Sequence, residues 1–295
     1  MIIQYPPLLI TSCVSTSAPL TTLSNPTERI NLTVKFIGAW LSAFPQLKIV
    51  ICDGSGFNFS QTLDNLFPTA CIEVISFMND ASSVSMYGKG YGEGEIINYA
   101  LENSRILKES SLFAKVTSKM WVKNFEDCVK IFNGQFLAAP QFQALPSRDK
   151  IFLEFIDTRF FISDLKFYLS TLSKAHLRVR DLEGYYLEHS FRDQLLKEKI
   201  LNFGPPFLLI FEGISGSTGK DFSIASDKRG RRKAAINILI AEETSDYIVH
   251  DKFTSDRRNY YDFFFTLFIK YKHFIDKMIY STIKPNIKSI LKKLT

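Results

Sequence analysis

Three short segments hold side chains whose types and spacing suit chemistry on a nucleotide. Asp53-Gly54-Ser55 closes the apolar run 48–52. A carboxylate at the end of a buried strand can accept hydrogen bonds from a ribose or a base edge, and Gly54 allows close backbone approach. The competing reading is a plain Asx turn. Residues 88–94 read GKGYGEG, and depart from G-x-G-x-x-G because Glu93 stands where the third glycine belongs. A flexible stretch leading into a helix N-terminus still offers backbone N–H groups to anions, and Lys89 adds a positive charge. Lys89, Gly90 and Glu93 are therefore candidates for the nucleotide side of a site. Residues 113–124, FAKVTSKMWVKN, set Lys115, Lys119 and Lys123 around the end of a predicted strand. Lys115 and Lys119 share parity, so a continuous strand places both on one face, where they could hold a diphosphate. A strand lysine is costly to bury without an anionic partner, and an edge strand with solvated lysines is the structural alternative.

Acid–base candidates come later in the chain, in Asp157-Thr158-Arg159 and in residues 185–193, YYLEHSFRD. Glu188 and His189 open a predicted helix, and with Asp157 they form the catalytic candidates. Several familiar sites are absent. Residues 213–220, GISGSTGK, miss the P-loop pattern because Thr218 and Gly219 stand where Gly and Lys are required. The polar stretch after it carries Arg229, Arg231 and Arg232, which suit a lid over phosphate oxygens or plain solvation. The chain has no D-x-D, no i, i+4 histidine pair and no C-x-x-C. No metal site and no cofactor beyond a nucleotide substrate is expected, and a divalent ion is disfavoured.

The elements that must position these groups alternate. Strands are expected over 8–14, 48–52, 71–77 and 113–117, with helices from Asn25 to Phe44, near 61–66 and from Glu95 to Leu107. Asn25-Pro26-Thr27-Glu28 reads as a helix start and Pro45 as its stop. Later segments read as strands at 155–162 and 207–211 and helices at 164–172 and 188–201. This alternation predicts an α/β fold: a Rossmann-like, mainly parallel sheet with helices on both faces. Ligands of such sheets bind at the carboxyl ends of the strands, here Ser12–Ser15, Asp53–Ser55, the loop before Gly88, and Thr117–Lys119.

The chain is 295 residues long, 46% hydrophobic and 22% charged, enough for a sizeable core. Its net charge of +6 is uneven: residues 252–295 hold ten Lys/Arg against three Asp, whereas the rest is nearly neutral. A neutral body argues against nucleic acid as the partner. The tail interleaves Phe, Ile and Leu with lysines and reads as a basic amphipathic helical extension, broken near Pro285. The expected organisation is a catalytic α/β domain over 1–250 and a tail over 251–295 that docks peripherally on the inner membrane face, or packs on the body. Four dispersed cysteines and no evident signal peptide point to a reducing cytoplasm.

Taken in order, Asp-Gly-Ser after an apolar strand, GKGYGEG with Tyr99-Ala100-Leu101 and Ser104, Phe113–Lys119 and Val122-Lys123-Asn124 resemble a group of bacterial glycosyltransferase-like proteins from lipopolysaccharide and capsule clusters. Asp157-Thr158-Arg159-Phe160 and Leu187–Phe191 are similar to later motifs of that group, and the resemblance spans roughly residues 8–215. Ser118 stands where the group's Lys-hydrophobic-Thr-Gly-Arg/Lys motif has glycine. The resemblance implies a GT-A-like fold, a nucleotide-sugar donor, and an oligosaccharide or lipid-linked acceptor. It also puts the lysine strand where metal-dependent relatives carry D-x-D. On this reading Ser12, Asp53 and Gly54 hold the nucleoside, Lys89, Lys115 and Lys119 face the diphosphate, and Glu188 or Asp157 takes the acceptor's proton. The competing classes are another nucleotide- or phosphate-ester-using transferase and a non-catalytic scaffold of the same pathway.

Overall fold

A computed structural model describes residues 4–222, apart from 17, 19, 20, 146–149, 201, 206, 217, 218 and 220. The elements run β1 (Leu8–Ser12), α1 (Pro26–Ala43), β2 (Ile49–Asp53), α2 (Ser60–Leu66), β3 (Ile72–Ser76), α3 (Ala81–Tyr87), α4 (Lys89–Asn103), α5 (Arg105–Lys108) and β4 (Leu112–Thr117). There follow β5 (Met120–Val122), α6 (Phe125–Ile131), β6 (Phe136–Leu145), β7 (Lys150–Asp164), α7 (Leu165–Phe167) with a π turn at Tyr168–Leu172, α8 (Leu187–Lys197) and β8 (Phe211–Gly213). The chain divides into two compact units. One is Met1–Phe142 with Glu154–Asp246. The other is Gln143–Leu153 with Tyr247–Thr295, of which only parts of the β6 and β7 backbones are described.

The main sheet has the order β3-β2-β1-β4-β7-β6. β3, β2, β1 and β4 are parallel, and β7 runs antiparallel to β4. Side-chain alternation divides the core between the two faces. Leu8, Ile10, Ile49, Ile51, Val116 and Phe160 point one way, into a core with Ile37 and Trp40 of α1, Leu63 of α2 and Phe125 of α6. Phe113 and Phe161 point the other way and pack edge-on at 5.8 Å between ring centres, under Tyr168 and Phe191. The expected class, a Rossmann-like and mainly parallel sheet with helices on both faces, is the fold the described residues adopt. The C-terminal extension and the arginines at 229, 231 and 232 lie outside them.

α1 begins as its sequence dictates: the Asn25 side chain accepts from the Glu28 N–H at 3.0 Å, and Pro26 takes the first helical position. The start of α4 is a correction. GKGYGEG is not a loop leading to a helix at Glu95; the helix starts at Lys89 and absorbs Gly90, Gly92 and Gly94. Each interior glycine costs a helix up to ~1 kcal/mol against alanine, so packing must compensate. It does so through close approach: a Cβ on Gly94 would collide with the His176 side chain. Gly88, with φ of 105°, makes the sharp reversal between α3 and α4.

Candidate functional site

β1 lies between β2 and β4, and the chain leaves it first toward β2 and β3 before crossing back to β4. This reversal opens a crevice at the carboxyl ends of the strands, the usual ligand position in an open α/β sheet. A cleft of ≈ 610 Å³ occupies it, within the range of small-molecule sites. Its walls include Ser12 and Cys13 after β1, Gly54 and Ser55 after β2, and Asn79 after β3. Lys89 and Glu93 of α4, Lys119 after β4, Arg159 of β7 and Glu188 of α8 complete it.

Asp53 holds the rim together and is fully buried. Its Oδ1 accepts from the Ser55 N–H (2.8 Å), the Ser55 hydroxyl (2.6 Å) and the Phe57 N–H (3.2 Å), and its Oδ2 accepts from the Val14 N–H at 3.0 Å. It therefore ties the β1 and β2 loops together as an Asx turn. Asp53 is not among the residues lining the cleft; Ser12, Gly54 and Ser55 are. The Asn79 amide stands beside Gly54 and Gly92, and its buried Oδ1 finds no hydrogen-bond partner among the described residues.

The lysines part company. Lys115 is fully buried on the α4 face of β4, ion-paired with Glu93 and donating to the Thr158 carbonyl at 2.8 Å. Burial alone would raise the Glu93 carboxyl; the Lys115 charge and hydrogen bonds from Lys115, Thr11 and Thr117 outweigh it and hold it low. The expectation that Lys115 faces a diphosphate is thus corrected: its charge is spent on α4. Lys115 and Lys119 do not share a strand face, because β4 ends at Thr117 and the chain turns at Ser118-Lys119. That turn delivers Lys119 into the cleft. Lys119 is 4% exposed, and its ammonium has no hydrogen-bond or ion-pair partner among the described residues. Burial, reinforced by the nearby Arg29 charge, brings it down to about 7.

Arg29 was not legible as a site residue. It is buried in α1, lines the same cleft, and donates from Nε to the Cys13 carbonyl and from Nη1 to the Leu23 carbonyl, each at 2.6 Å. The only signal was a basic residue one turn into a helix that follows a strand-end loop.

Glu188 lies at the N-terminal end of α8 and faces the cleft. Burial pushes its carboxyl up to about 7, the range in which a carboxylate serves as a general base at neutral pH. Asp157 and His189 are corrected as catalytic candidates. Asp157 is bound by Arg159, whose Nε donates to both its oxygens at 2.8 and 3.0 Å. The same guanidinium lies 4.5 and 4.3 Å from the Phe211 and Phe222 ring centres. His189 caps α8, with Nδ1 accepting from the Tyr186 N–H at 3.0 Å. Neither Asp157 nor His189 lines the cleft. Gly90 packs against Leu187 and Val179 instead of facing it. Among the described residues, no three His, Cys, Asp or Glu side chains gather to hold a metal ion.

No family model and no curated protein matches the chain in sequence. Among solved structures it is similar to the mannosyltransferase Ktr4p from S. cerevisiae, at 10% identity over 63% of this chain and 64% of that one, TM-score 0.39. The matched part is thus less than two thirds of the mannosyltransferase chain. It is also similar to the inositol-1-phosphate CTP transferase from T. maritima, at 11% identity over 80% and 98% of the two chains, TM-score 0.43. A third is a glycosyltransferase involved in glycosylation of the major capsid of PBCV-1, at 10% identity over 79% and 100%, TM-score 0.39. Likeness at this level says nothing of substrate or activity.

Proposed function

We propose that the chain is a transferase that moves a sugar from a nucleotide-activated donor to an acceptor hydroxyl. One observation carries the reading: Lys119, a buried residue, brings into the cleft at the sheet's crossing point an ammonium that has no hydrogen-bond or ion-pair partner among the described residues. A buried cation without a partner is unfavourable in the empty protein and favourable once an anion arrives. The nucleoside lies along Ser12, Gly54, Ser55 and Asn79, and its diphosphate faces Lys119. The acceptor oxygen attacks the anomeric carbon, the bond to the diphosphate oxygen breaks, and the electron pair leaves with the diphosphate. Lys119 stabilises that developing charge. Glu188 takes the acceptor's proton. An ammonium placed here does the neutralising that a divalent ion performs elsewhere, so turnover is expected to persist in a chelator.

The acceptor is an oligosaccharide or lipid-linked sugar of a bacterial surface polysaccharide, on the resemblance drawn above. The basic tail over 251–295 brings the enzyme to the inner membrane face. Among the described residues no helix is long and apolar enough to cross a membrane.

Product analysis tests the reaction. Incubation with a panel of nucleotide sugars is expected to release nucleoside diphosphate in step with sugar transfer. Release of nucleoside monophosphate or inorganic diphosphate instead indicates phosphoryl or nucleotidyl transfer and overturns the glycosyl reading.

A further inference from the structure

We infer that Arg29 and Lys119 together form a two-cation subsite for a phosphate or diphosphate group, beside the loop between β1 and α1. This deepens the donor reading and rests on it only for the identity of the natural ligand. Both cations line one cleft, at 7% and 4% exposure, and the Arg29 charge adds to burial in lowering the Lys119 ammonium. Among the described residues neither has a carboxylate bonded to it. The two carboxylates whose charges act on Lys119 are bonded elsewhere: Asp53 to the amides of Val14, Ser55 and Phe57, and Glu93 to Lys115 and the hydroxyls of Thr11 and Thr117. Two like charges removed from water without a counter-ion call for an anion that touches both.

Arg29 also sets the shape of the subsite. Its Nε and Nη1 bind the carbonyls of Cys13 and Leu23, the two ends of that loop, and Nη2 donates to none of the described residues. The Leu23 N–H in turn donates to the Gly216 carbonyl at 3.2 Å. A Cβ added to Gly216 would lie 3.1 Å from Lys119 Cε. Arg29, Leu23, Gly216 and Lys119 are thus linked in series, with an N–H of Arg29 and the ammonium of Lys119 left to receive an anion.

The test is calorimetric titration of the full chain with inorganic diphosphate at pH 6.5, where Lys119 is largely protonated. The wild type is expected to bind, and Lys119→Met and Arg29→Gln each to weaken binding about tenfold or more, the scale of one charge-assisted hydrogen bond. Gln at 29 keeps a donor for one loop carbonyl; if that variant does not fold, Arg29→Lys takes its place and is expected to weaken binding by loss of the fork. Lys123→Met removes an exposed lysine already paired with Glu212 and should leave affinity unchanged. The inference is overturned if the wild type does not bind diphosphate, or if Lys123→Met weakens it as much as the other two. A parallel titration with nucleotide sugars separates the two ideas. Diphosphate binding without nucleotide-sugar binding leaves the subsite standing and removes the donor reading. Nucleotide-sugar binding unaffected by either variant removes the subsite alone.

Discussion

Two side chains in one cleft, each displaced by burial to about 7 from opposite directions, set the pH behaviour. In the proposed reaction Glu188 must be ionised to accept a proton, and Lys119 must be charged to hold a leaving group. kcat/KM is expected to rise as Glu188 ionises and to fall as Lys119 loses its proton, giving a narrow maximum near neutrality. Glu188→Gln should remove the rising limb and most of the rate, measured as a pH profile of nucleoside diphosphate release. The account at this site fails if that variant keeps both limbs. Lys119 carries a stability signature of opposite sense to its function. Its ammonium is lowered from 10.5, so between about 7 and 10.5 the unfolded chain binds more protons, and stability rises with pH over that window. Lys119→Met removes the cost of a buried charge: at pH 6 its melting temperature should exceed that of the wild type, while turnover drops about 10²-fold. A lower melting temperature in that variant would mean the amine has a partner in the folded protein. The sequence made Lys119 visible because a lysine directly after an apolar strand is conspicuous. It could not separate Lys119 from Lys115, because what decides their fates is Glu93, on a helix that folds back from another part of the chain.

At the scale of elements, the Lys115–Glu93 pair fastens β4 to α4. Removing one member strands a buried charge, so Lys115→Met should cost about 3–5 kcal/mol in chemical denaturation. The double variant Lys115→Met/Glu93→Gln should cost clearly less than the sum of the two single changes. Additive losses would show that the two groups do not interact. Gly94→Ala tests the glycine-rich start of α4: with His176 occupying the space of a new Cβ, overpacking should destabilise by roughly 1–3 kcal/mol despite alanine's better helix propensity. A stabilised variant would contradict the packing. The sequence marked β1, β2, β3, β4 and α1 closely, because each strand is a mainly apolar run and α1 carries its own cap and stop. It misplaced the start of α4, because glycine at alternate positions reads as loop to any local rule. Of the partners that make those glycines useful, Val179, Leu187 and His176 come from distant segments, and Asn79 and Val84 from the loop and helix just before α4. The short strands β5 and β8 were equally hidden, since their pairing joins residues some ninety positions apart.

For the whole molecule, the crossing between β1 and β4 in a sheet of order β3-β2-β1-β4-β7-β6 fixes where chemistry can occur. Everything at the site is delivered there by strand ends, by α1, by the face of α4 and by the N-terminal end of α8. The alternation of elements was enough to anticipate that rim from the sequence. The net charge places a surplus of basic groups in residues 252–295, and the full chain is expected to float with anionic vesicles more than a chain ending at residue 251, with the difference lost at high salt. Equal flotation would remove the tail from the account. The most direct measurement concerns the cleft itself: titration of the wild type and Lys119→Met with UDP, GDP and CDP at pH 6.5 with a chelator present. The account predicts that one nucleoside diphosphate binds the wild type clearly more tightly than the others, and binds Lys119→Met about tenfold or more weakly. Absence of binding by all three, or equal affinity in both proteins, would contradict it.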